Sequence, residues 1–444
     1  MEIEGFIHIV VELQNKLEDE DFELMTKVAR NMWLSTNSVI YGEMFSHPTQ
    51  IKPVIMRAAI FARELRLQKV KLEGDALCWS TNFPLTYIDL LPLLPLSAQS
   101  LCTERPLTFS SVSMAASNLM HAVQYDGYGG GSAGLKHVEV PVPTPKKDEL
   151  LLKLEATSLN PIDWKVQKGI MRPLLPRKFP HIPGTDVAGE VVEVGPGVKS
   201  FKAGDKVLAN LGIADGGGLA EFAVSKEKLT VARPAEVSAA EAAGLPIAGL
   251  TAHQALTQSA GIKLDGSGQQ ANILITAASG GVGLYAVQLA KLGNTHVTVT
   301  CGARNIELVK SLGADEVLDY KTPEGAALKS PSGRKYDFVI HGATGIPWST
   351  FEPNLSEKGK VFDLTPSLSS MATFALKKIT FSKKQLLPVF VNVKSENLDY
   401  LVKLVKEGKL KTLIDSKHSL SKAEDAWAKS IDGHATGKVI VEPF

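Results

Sequence analysis

The sequence predicts an α/β protein with a β-rich domain and a parallel, doubly wound sheet, preceded by a helical extension. Between residues 121 and 224, short β-branched runs alternate with glycine-containing turns, which is typical of a small barrel or sandwich. From Ala240 onward, apolar strands alternate with helical stretches, and this alternation builds a parallel sheet covered by helices. Residues 1–113 are poor in glycine and carry apolar residues at helical spacing, so we expect helices there.

The composition narrows the class of protein. The chain has 444 residues, of which 44% are hydrophobic, so we expect two or three domains with buried cores. Lys and Arg number 48 against 47 Asp and Glu, and this balance gives no global electrostatic reason to bind nucleic acid. The three cysteines, Cys78, Cys102 and Cys301, form no CxxC pair, which excludes a structural zinc and favours a reducing compartment. We expect neither a membrane-spanning helix nor a cleavable targeting peptide.

The extension, residues 1–113, is predicted to hold helices in Phe22–Trp33 and Ile51–Leu67, followed by a Ser/Thr-rich linker. The segment from Phe22 to Ile51 resembles the region ahead of the RNase-H-like domain in plant retroelement polyproteins. A gene-model fusion or an unrelated helical extension is the alternative interpretation. We assign no chemistry to this segment, and Met114 is a candidate for an ancestral start.

The β-rich domain is predicted from apolar runs that end at turn residues. Turns at Tyr128–Ser132, Gly195–Gly197 and Ala203–Asp205 separate neighbouring runs. The predicted strands are His121–Tyr125, His137–Val140, Leu150–Ser158, Val187–Val194, Lys206–Ala209 and Glu221–Val224.

The second pattern opens with a helix-like stretch, Ala240–Thr257, and then alternates. The predicted strands are Ala271–Thr276, His296–Thr300, Glu316–Leu318, Asp337–Ile340, Lys360–Leu364 and a closing Lys438–Val441. The predicted helices are Val282–Leu292, Asn305–Leu312, Asn397–Glu407 and Ala423–Ser430. Three segments, Met171–Phe179, Gly212–Gly218 and Pro366–Lys378, are predicted to be loops that shape a cleft.

The most informative motif is the glycine turn Ser279-Gly280-Gly281-Val282-Gly283. It follows a buried strand and opens a helix, which is the context required of a dinucleotide-binding turn. Glycine lets backbone amides approach a pyrophosphate, and the helix N-terminus favours the anion. The alternative is a tight turn that binds no ligand.

The residues about 20 positions further on distinguish the two nicotinamide cofactors. That distance from Gly283 leads to Cys301-Gly-Ala-Arg304-Asn305, which contains no acid to accept the ribose 2′-hydroxyl. Arg304 instead suits a charge-assisted pair with a 2′-phosphate, so we expect NADPH. The alternative is that Arg304 is a surface residue at a helix start.

A third motif, Asn160-Pro-Ile-Asp163-Trp-Lys165, ends a predicted strand. Pro161 keeps Asn160 out of the helical region, so its amide is predicted to point into a cleft. A turn with an Asx cap is the alternative.

An ordered set of motifs resembles the medium-chain dehydrogenase/reductase superfamily, in its quinone oxidoreductase branch. The motifs are Asn160-Pro-x-Asp-Trp, Pro183-Gly-Thr-Asp-Val-Ala-Gly-Glu, Gly204-Asp-Lys-Val, Leu245-Pro-x-Ala-Gly-Leu-Thr-Ala and Ala277-Ala-Ser-Gly-Gly-Val-Gly. The resemblance implies a GroES-like β-barrel catalytic domain in two pieces, 114–239 and 385–444, around a Rossmann NADPH-binding domain, 240–384. It also implies a cleft between the domains and a homodimer or other small oligomer.

The resemblance further implies a set of cofactor-binding residues. It suggests Asn160 and Thr251 near the nicotinamide and its ribose. The turn residues Ser279, Gly280, Gly281, Val282 and Gly283 would contact the pyrophosphate, and Arg304 and Tyr320 the adenosine 2′-phosphate. The remaining cofactor path would be lined by Gly342, Ala343, Phe362 and Lys438.

Two departures from relatives limit the chemistry. Zinc-dependent relatives place Cys and Gly-His-Glu where this chain has Asn160 and Gly184-Thr-Asp186, so no three-ligand metal set is expected. His181 is interpreted as a surface or cleft-edge histidine. Several enoyl reductases carry a Tyr after the glycine that corresponds to Gly169, and this chain has Ile170 there, so that proton donor is not expected.

Without a Lewis acid, a conjugated acceptor is the better substrate because its developing charge spreads into an enolate. We therefore expect hydride transfer to α,β-unsaturated carbonyls or quinones, with Asn160 or backbone amides holding the carbonyl oxygen. Lys165 is a candidate proton donor, and an ordinary solvated lysine is the alternative. The other functions to distinguish are an NADPH-binding protein with little turnover and a one-electron quinone reductase.

The resemblance also bears on location. It implies a chloroplast protein bound peripherally to the inner envelope without a cleavable peptide, and a cytoplasmic protein is the alternative.

Overall fold

The computed structural model describes residues 118–172, 175–176 and 178–443. All of these residues belong to the second of the two compact units into which the chain divides, Ala115–Phe444. The helices expected in residues 1–113, the linker and the retroelement-like segment lie outside the described residues.

The described residues form strands and helices that alternate along most of the chain. The strands are β1 (Leu119–Gln124), β2 (Lys136–Pro141), β3 (Glu149–Leu159), β4 (Asp186–Val194), β5 (Lys206–Asn210), β6 (Phe222–Lys226), β7 (Thr230–Ala232), β8 (Asn272–Thr276), β9 (His296–Cys301), β10 (Glu316–Asp319), β11 (Tyr336–His341), β12 (Leu355–Asp363), β13 (Gln385–Pro388), β14 (Ile414–Ser419) and β15 (Lys438–Glu442). The helices are α1 (Pro161–Lys168), α2 (Ala239–Ala243), α3 (Pro246–Gln254), α4 (Gly281–Leu292), α5 (Ile306–Ser311), α6 (Pro323–Ala326), α7 (Trp348–Phe351), α8 (Leu368–Ile379), α9 (Ser395–Lys406) and α10 (Ala423–Asp432).

The β-rich lobe confirms the GroES-like prediction. Its main sheet has seven strands in the order β14-β15-β3-β4-β5-β7, with β6 pairing β3, and β1 and β2 form a separate antiparallel pair. The eleven-residue strand β3 is the centre of this lobe because β4, β6 and β15 all pair with it. The pairing of β15 with β3 brings the last strand of the chain back to the first lobe.

The second lobe is the predicted Rossmann domain. Its six strands run in the order β10-β9-β8-β11-β12-β13, and every pairing is parallel. The chain starts at β8 in the middle, proceeds to one edge and then returns to β11 beside it. A ligand crevice forms at such a switch point, outside the carboxyl ends of the central strands.

Two expectations are wrong in this lobe. The segment Gln385–Pro388, predicted to begin the second piece of the catalytic domain, is the sixth strand of the parallel sheet, so the boundary at residue 384 is too early. The predicted loop Pro366–Lys378 contains helix α8, which begins with a capping box between Ser367 and Ser370.

The two lobes share one large apolar core. Residues of β3, β4 and β5, such as Ala156, Ala188 and Leu208, belong to the same buried cluster as α2, α3 and the inner face of the parallel sheet. Helix α9 packs on α3 and contributes Leu398 and Leu401 to that cluster. This shared core fixes the position of one lobe against the other, and therefore the geometry of the crevice between them.

Candidate cofactor and active site

The glycine turn connects β8 to α4 as the sequence predicts. Gly280 caps the helix, its amide donates to the Ala277 carbonyl oxygen over 3.0 Å, and α4 begins at Gly281. A Cβ at Gly283 would overlap the Ala277 carbonyl and lie 2.6 Å from the Ala278 Cα, so only glycine lets the helix start so close to the strand. The turn therefore leaves the helix N-terminus open to an anionic ligand, and this cradle fits the pyrophosphate of a dinucleotide.

A segment near the end of the chain crosses this turn. We call residues 434–438 the C-terminal strap. The amide of Gly437 donates to the Ser279 carbonyl oxygen over 3.0 Å, and the Asn305 amide nitrogen donates to the Thr436 hydroxyl over 3.1 Å. The strap thus ties the β-rich lobe to two loops at the carboxyl edge of the parallel sheet.

The predicted 2′-phosphate residues lie at that edge. Arg304 follows β9, is exposed, and donates a hydrogen bond to the carbonyl oxygen of His434 in the strap. Tyr320 follows β10, is 46% exposed, and has its ring beside Gly302. An open cavity of about 500 Å³ lies next to Arg304, between the strap and α10. Arg304 and Tyr320 are therefore accessible at the ends of neighbouring strands.

A buried polar network lies beneath the turn, and we call it the junction network. It consists of Asn160, Asp163, Asp186 and Lys438, each at most 5% exposed. The Lys438 ammonium donates to the Asn160 amide oxygen over 2.6 Å, and the Asn160 amide nitrogen donates to Asp186 over 2.9 Å. The prediction that the Asn160 amide points into the cleft is therefore not met, because both of its polar atoms are engaged.

The remaining bonds of the junction network reach both lobes. Asp186 also accepts hydrogen bonds from the Asn210 side chain over 2.8 Å and from the Ile247 amide, at the start of α3, over 2.9 Å. The Asp163 carboxylate accepts a hydrogen bond from the backbone N–H of Asn160 over 2.7 Å, and this bond caps the start of α1. The Lys438 side chain lies against the glycine turn, since a Cβ at Gly281 would be 3.0 Å from its Cδ and 3.8 Å from its Nζ.

Burial dominates the electrostatics of the network. Removal from water raises the pKa of Asp163 to about 7, an effect strengthened by Asp186 and opposed by the Asn160 hydrogen bond and by Lys438. Burial also raises the pKa of Asp186 and lowers the pKa of Lys438, whereas the attraction between these two charges opposes both shifts. Two buried acids thus share one buried lysine.

Three further side chains lie at the carboxyl ends of β8, β11 and β12. The amides of Gly342 and Ala343 donate to the Thr276 hydroxyl over 3.1 and 3.2 Å, and that hydroxyl lies 2.9 Å from His341 Nδ1. Asp363 is paired in register with His341 on the neighbouring strand. His341 and Asp363 are not among the site residues that the sequence predicts, although both directly follow apolar strand runs.

Two predicted cofactor residues have their side chains turned elsewhere. The Phe362 ring is 1% exposed and stacks on Phe338 at a centroid distance of 6.0 Å, so only its backbone faces the strand end. The Thr251 hydroxyl donates to the Ile247 carbonyl oxygen of its own helix over 2.7 Å. Both residues nevertheless belong to elements that border the crevice.

Lys165 lies on α1 at the cleft. It is half-buried, and within the described part of the chain its ammonium makes no hydrogen bond. Burial lowers its pKa, and the carboxylate of Asp363 on the opposite lobe partly offsets that shift. A half-buried lysine that faces an acid across a crevice is a group suited to proton transfer.

The donor set does not suit zinc. Among the described residues there is no cluster of three His, Cys, Asp or Glu side chains that could hold a metal ion. At the positions where zinc-dependent relatives keep ligands, the Asn160 and Asp186 side chains are hydrogen-bonded to each other, and Asn160 is also hydrogen-bonded to Lys438. His181, predicted to lie at the surface or at the cleft edge, is 8% exposed, and burial lowers its pKa to about 4.

Comparison with known proteins identifies the family. Residues 146–235 match the alcohol dehydrogenase GroES-like domain, and residues 312–441 match the family described as zinc-binding dehydrogenase. The chain belongs to the medium-chain dehydrogenase/reductase family of oxidoreductases.

The relatives place the chain in the quinone oxidoreductase branch. It is 76% identical over 328 residues to the chloroplast envelope quinone oxidoreductase homolog of Arabidopsis thaliana, covering 74% of this chain and 100% of that protein. It is 35% identical over 338 residues to the NADPH-dependent alkenal/one oxidoreductase, chloroplastic, of the same plant, covering 73% and 80%. The structure of the quinone oxidoreductase from Coxiella burnetii superposes with a TM-score of 0.67 at 33% identity, covering 74% and 100%.

Proposed function

We propose that this oxidoreductase uses NADPH to reduce the conjugated C=C bond of α,β-unsaturated carbonyls, or quinones, without a metal ion. The observation that carries the proposal is the junction network, in which Asn160 and Asp186, at the positions where zinc-dependent relatives keep ligands, are hydrogen-bonded to each other, and Asn160 also to Lys438. Such a site offers no Lewis acid to an isolated ketone, whereas a conjugated acceptor needs only hydrogen-bond donors. The alkenal/one oxidoreductase among the relatives carries both NADPH and this substrate class in its name.

The proposed cofactor fits the residues at the carboxyl edge. The open N-terminus of α4 receives the pyrophosphate, and Arg304 with Tyr320 receives the 2′-phosphate. When bound, NADPH supplies a hydride from its nicotinamide ring. The crevice at the switch point between β8 and β11 would hold the rest of the cofactor, and the backbone of Gly342 and Ala343 would border it.

The chain's own residues supply the proton and the orientation. Lys165, half-buried on α1, donates a proton or hydrogen bond as the enolate forms, and the Asp363 carboxylate partly offsets the lowering of its pKa by burial. Asn160 acts as a positioning residue, because its amide is bonded to Asp186 and Lys438. Most of the rate enhancement then comes from holding the alkene against the cofactor.

A substrate panel tests this proposal. We expect NADPH oxidation with a conjugated enone or quinone and none with the matched saturated ketone. Equal turnover of the enone and the saturated ketone would overturn it. Tight NADPH binding without oxidation of any acceptor would indicate a binding protein, and a semiquinone radical signal would indicate one-electron reduction.

The location of the protein and its assembly are also part of the proposal. We infer a chloroplast protein held peripherally at the inner envelope, supported by relatives whose names place them in the chloroplast. Within the described residues, none of the helices is long and apolar enough to cross a membrane. Release of the protein from purified envelopes by a salt wash tests the peripheral attachment. The proposed homodimer is tested by its mass in solution.

A further inference from the structure

The junction network contains an imbalance of charge. Asp163 and Asp186 are buried acids, and Lys438 is the cation that lies between them and the glycine turn. If both acids were ionised, the buried site would carry a net negative charge, which is costly in a region of low dielectric constant. A proton on one acid removes this excess.

Asp186 is the acid that stays ionised. Its carboxylate accepts three hydrogen bonds, from Asn160, Asn210 and Ile247. Asp163 accepts one, from the backbone N–H of Asn160. Because hydrogen bonds favour the charged form, Asp163 is the acid that is easier to protonate.

A small cavity gives Asp163 a route for proton exchange. About 10 Å³ of space is enclosed by residues that include Asp163, Tyr125, Thr185 and His181, which is close to the volume that one water molecule needs. The hydroxyl of Tyr125 is buried there and has no hydrogen-bond partner among the described residues. The groups that face Asp163 are therefore Tyr125 from β1, Asp186 and Thr185 from the start of β4, Lys438 from β15, and His181 across the cavity.

Lys438 couples this site to the cofactor. Its Nζ donates to Asn160 and also lies beside Gly281, where the pyrophosphate of the proposed function would bind. An added anion at the turn attracts the ammonium and weakens the attraction that it exerts on the two acids. The excess negative charge of the network then rises.

We propose that Asp163 is a positioning residue that takes up one proton from solvent when the cofactor's pyrophosphate engages Lys438. The proton binds a carboxylate oxygen of Asp163, and no other bond is made or broken. Cofactor binding then draws a proton into the network and is favoured by lower pH. This inference rests on the proposed function, because it requires the dinucleotide at the glycine turn.

Calorimetry in buffers of different ionisation enthalpy measures the proton directly. We expect the binding enthalpy of NADPH to the full chain, at about pH 8, to vary with the buffer and to report uptake of up to about one proton. The affinity should fall by up to about tenfold per pH unit above neutrality. The 2′-phosphate of NADPH has a pKa of about 6, which lies below the pH range of this measurement.

Asp163→Asn is the decisive variant, since its amide resembles the protonated acid. We expect it to bind NADPH with almost no proton uptake, and Lys438→Met to lose both uptake and at least about tenfold in affinity. Asp425→Asn, at an exposed carboxylate on α10, is the matched control and should keep the wild-type uptake. Equal uptake in wild type and Asp163→Asn would overturn the inference.

The two proposals fail in different ways. If the wild-type chain does not bind NADPH, the proposed function is wrong. If it binds without proton uptake, only the role of Asp163 is wrong. Should Asp163→Asn not fold, the buffer dependence of the wild type and of Lys438→Met still decides the matter.

Discussion

We propose that Arg304 is the side chain that decides between NADPH and NADH. It is exposed at the end of β9 and donates to the His434 carbonyl oxygen, so its guanidinium is held at the cavity by the strap. We expect Arg304→Asp to raise the KM for NADPH by about 10- to 100-fold, because a charge-assisted bond becomes a repulsion. The KM for NADH should change little. Steady-state kinetics with both cofactors measure the ratio of the KM for NADPH to the KM for NADH.

The control for this change is Lys310→Asp, which reverses an exposed charge on the neighbouring helix α5. It alters the net charge by the same amount and should leave the preference for NADPH intact. An unchanged cofactor ratio in Arg304→Asp would show that Arg304 does not contact the phosphate.

Lys165 is proposed as the proton donor, and its own helix provides the comparison. Lys165→Gln should lower kcat with an enone by about 10²-fold or more, because the positioned acid is lost. The Kd for NADPH should stay the same. Lys168→Gln changes an exposed lysine on the same helix and should behave like wild type. If kcat differs little between the two variants, Lys165 is an ordinary solvated lysine and not the proton donor.

Asp163 also links stability to pH. Its pKa is about 7 in the folded protein and 3.8 in an ordinary environment, so the folded state binds more protons between these values. The free energy of unfolding should therefore fall as pH rises from about 4 to about 7, by at most about 4 kcal/mol. Asp163→Asn should lose this component and show a smaller decrease between these pH values. Urea denaturation at both pH values checks it, with Asp425→Asn expected to follow the wild type.

At the scale of elements, the glycine turn separates two functions of glycine. A Cβ at Gly281 would lie 3.0 Å from the Lys438 Cδ and 3.6 Å from the Gly437 carbonyl oxygen, whereas one at Gly283 would overlap the backbone of Ala277 and Ala278 in the turn. We expect Gly281→Val to keep the melting temperature within a few degrees and to lose at least about tenfold in NADPH affinity. Gly283→Val should lose about 3 kcal/mol of stability. Thermal unfolding and NADPH titration measure the two effects.

The matched control is Gly268→Val, because a Cβ there lies 3.6 Å from Lys263 and has no positive φ to strain. It should change neither stability nor affinity beyond small amounts. Retained NADPH affinity in Gly281→Val would contradict the placement of the pyrophosphate.

The elements differ in how well the sequence predicts them. Strands such as β8 and β9 are found within a residue or two, because their apolar, β-branched runs are buried in a parallel sheet. Helix α1 escapes prediction, since Pro161 at its first position follows directly on a strand. Helix α8 escapes because it is rich in serine and has no buried residue.

The parts of the candidate site also differ in how well the sequence predicts them. The glycine turn and Arg304 are predictable because the strand, turn and helix are continuous in sequence. The junction network is not, since Asn160 and Lys438 are 278 positions apart and meet only through the pairing of β3 with β15. No pattern within a short stretch of sequence indicates a contact between residues so far apart.

For the whole molecule, the relatives indicate which part suffices. The whole of the Arabidopsis quinone oxidoreductase homolog aligns with 74% of this chain. We expect a protein that starts at Met114 to fold, to bind NADPH within a few-fold of the full chain, and to reduce the same enones. Size-exclusion chromatography, calorimetry and kinetics on both proteins test this. Aggregation, or a loss of binding beyond about tenfold, would assign residues 1–113 a role in the enzyme.

The C-terminal strap has a consequence for biosynthesis. Strand β15 and Lys438 emerge from the ribosome after all six strands of the parallel sheet, yet they complete the crevice at the sheet's edge. A nascent chain can therefore form the strands of the Rossmann domain well before the crevice is complete. A premature stop anywhere ahead of β15 should yield an inert polypeptide, not a partly active one that wastes reducing power.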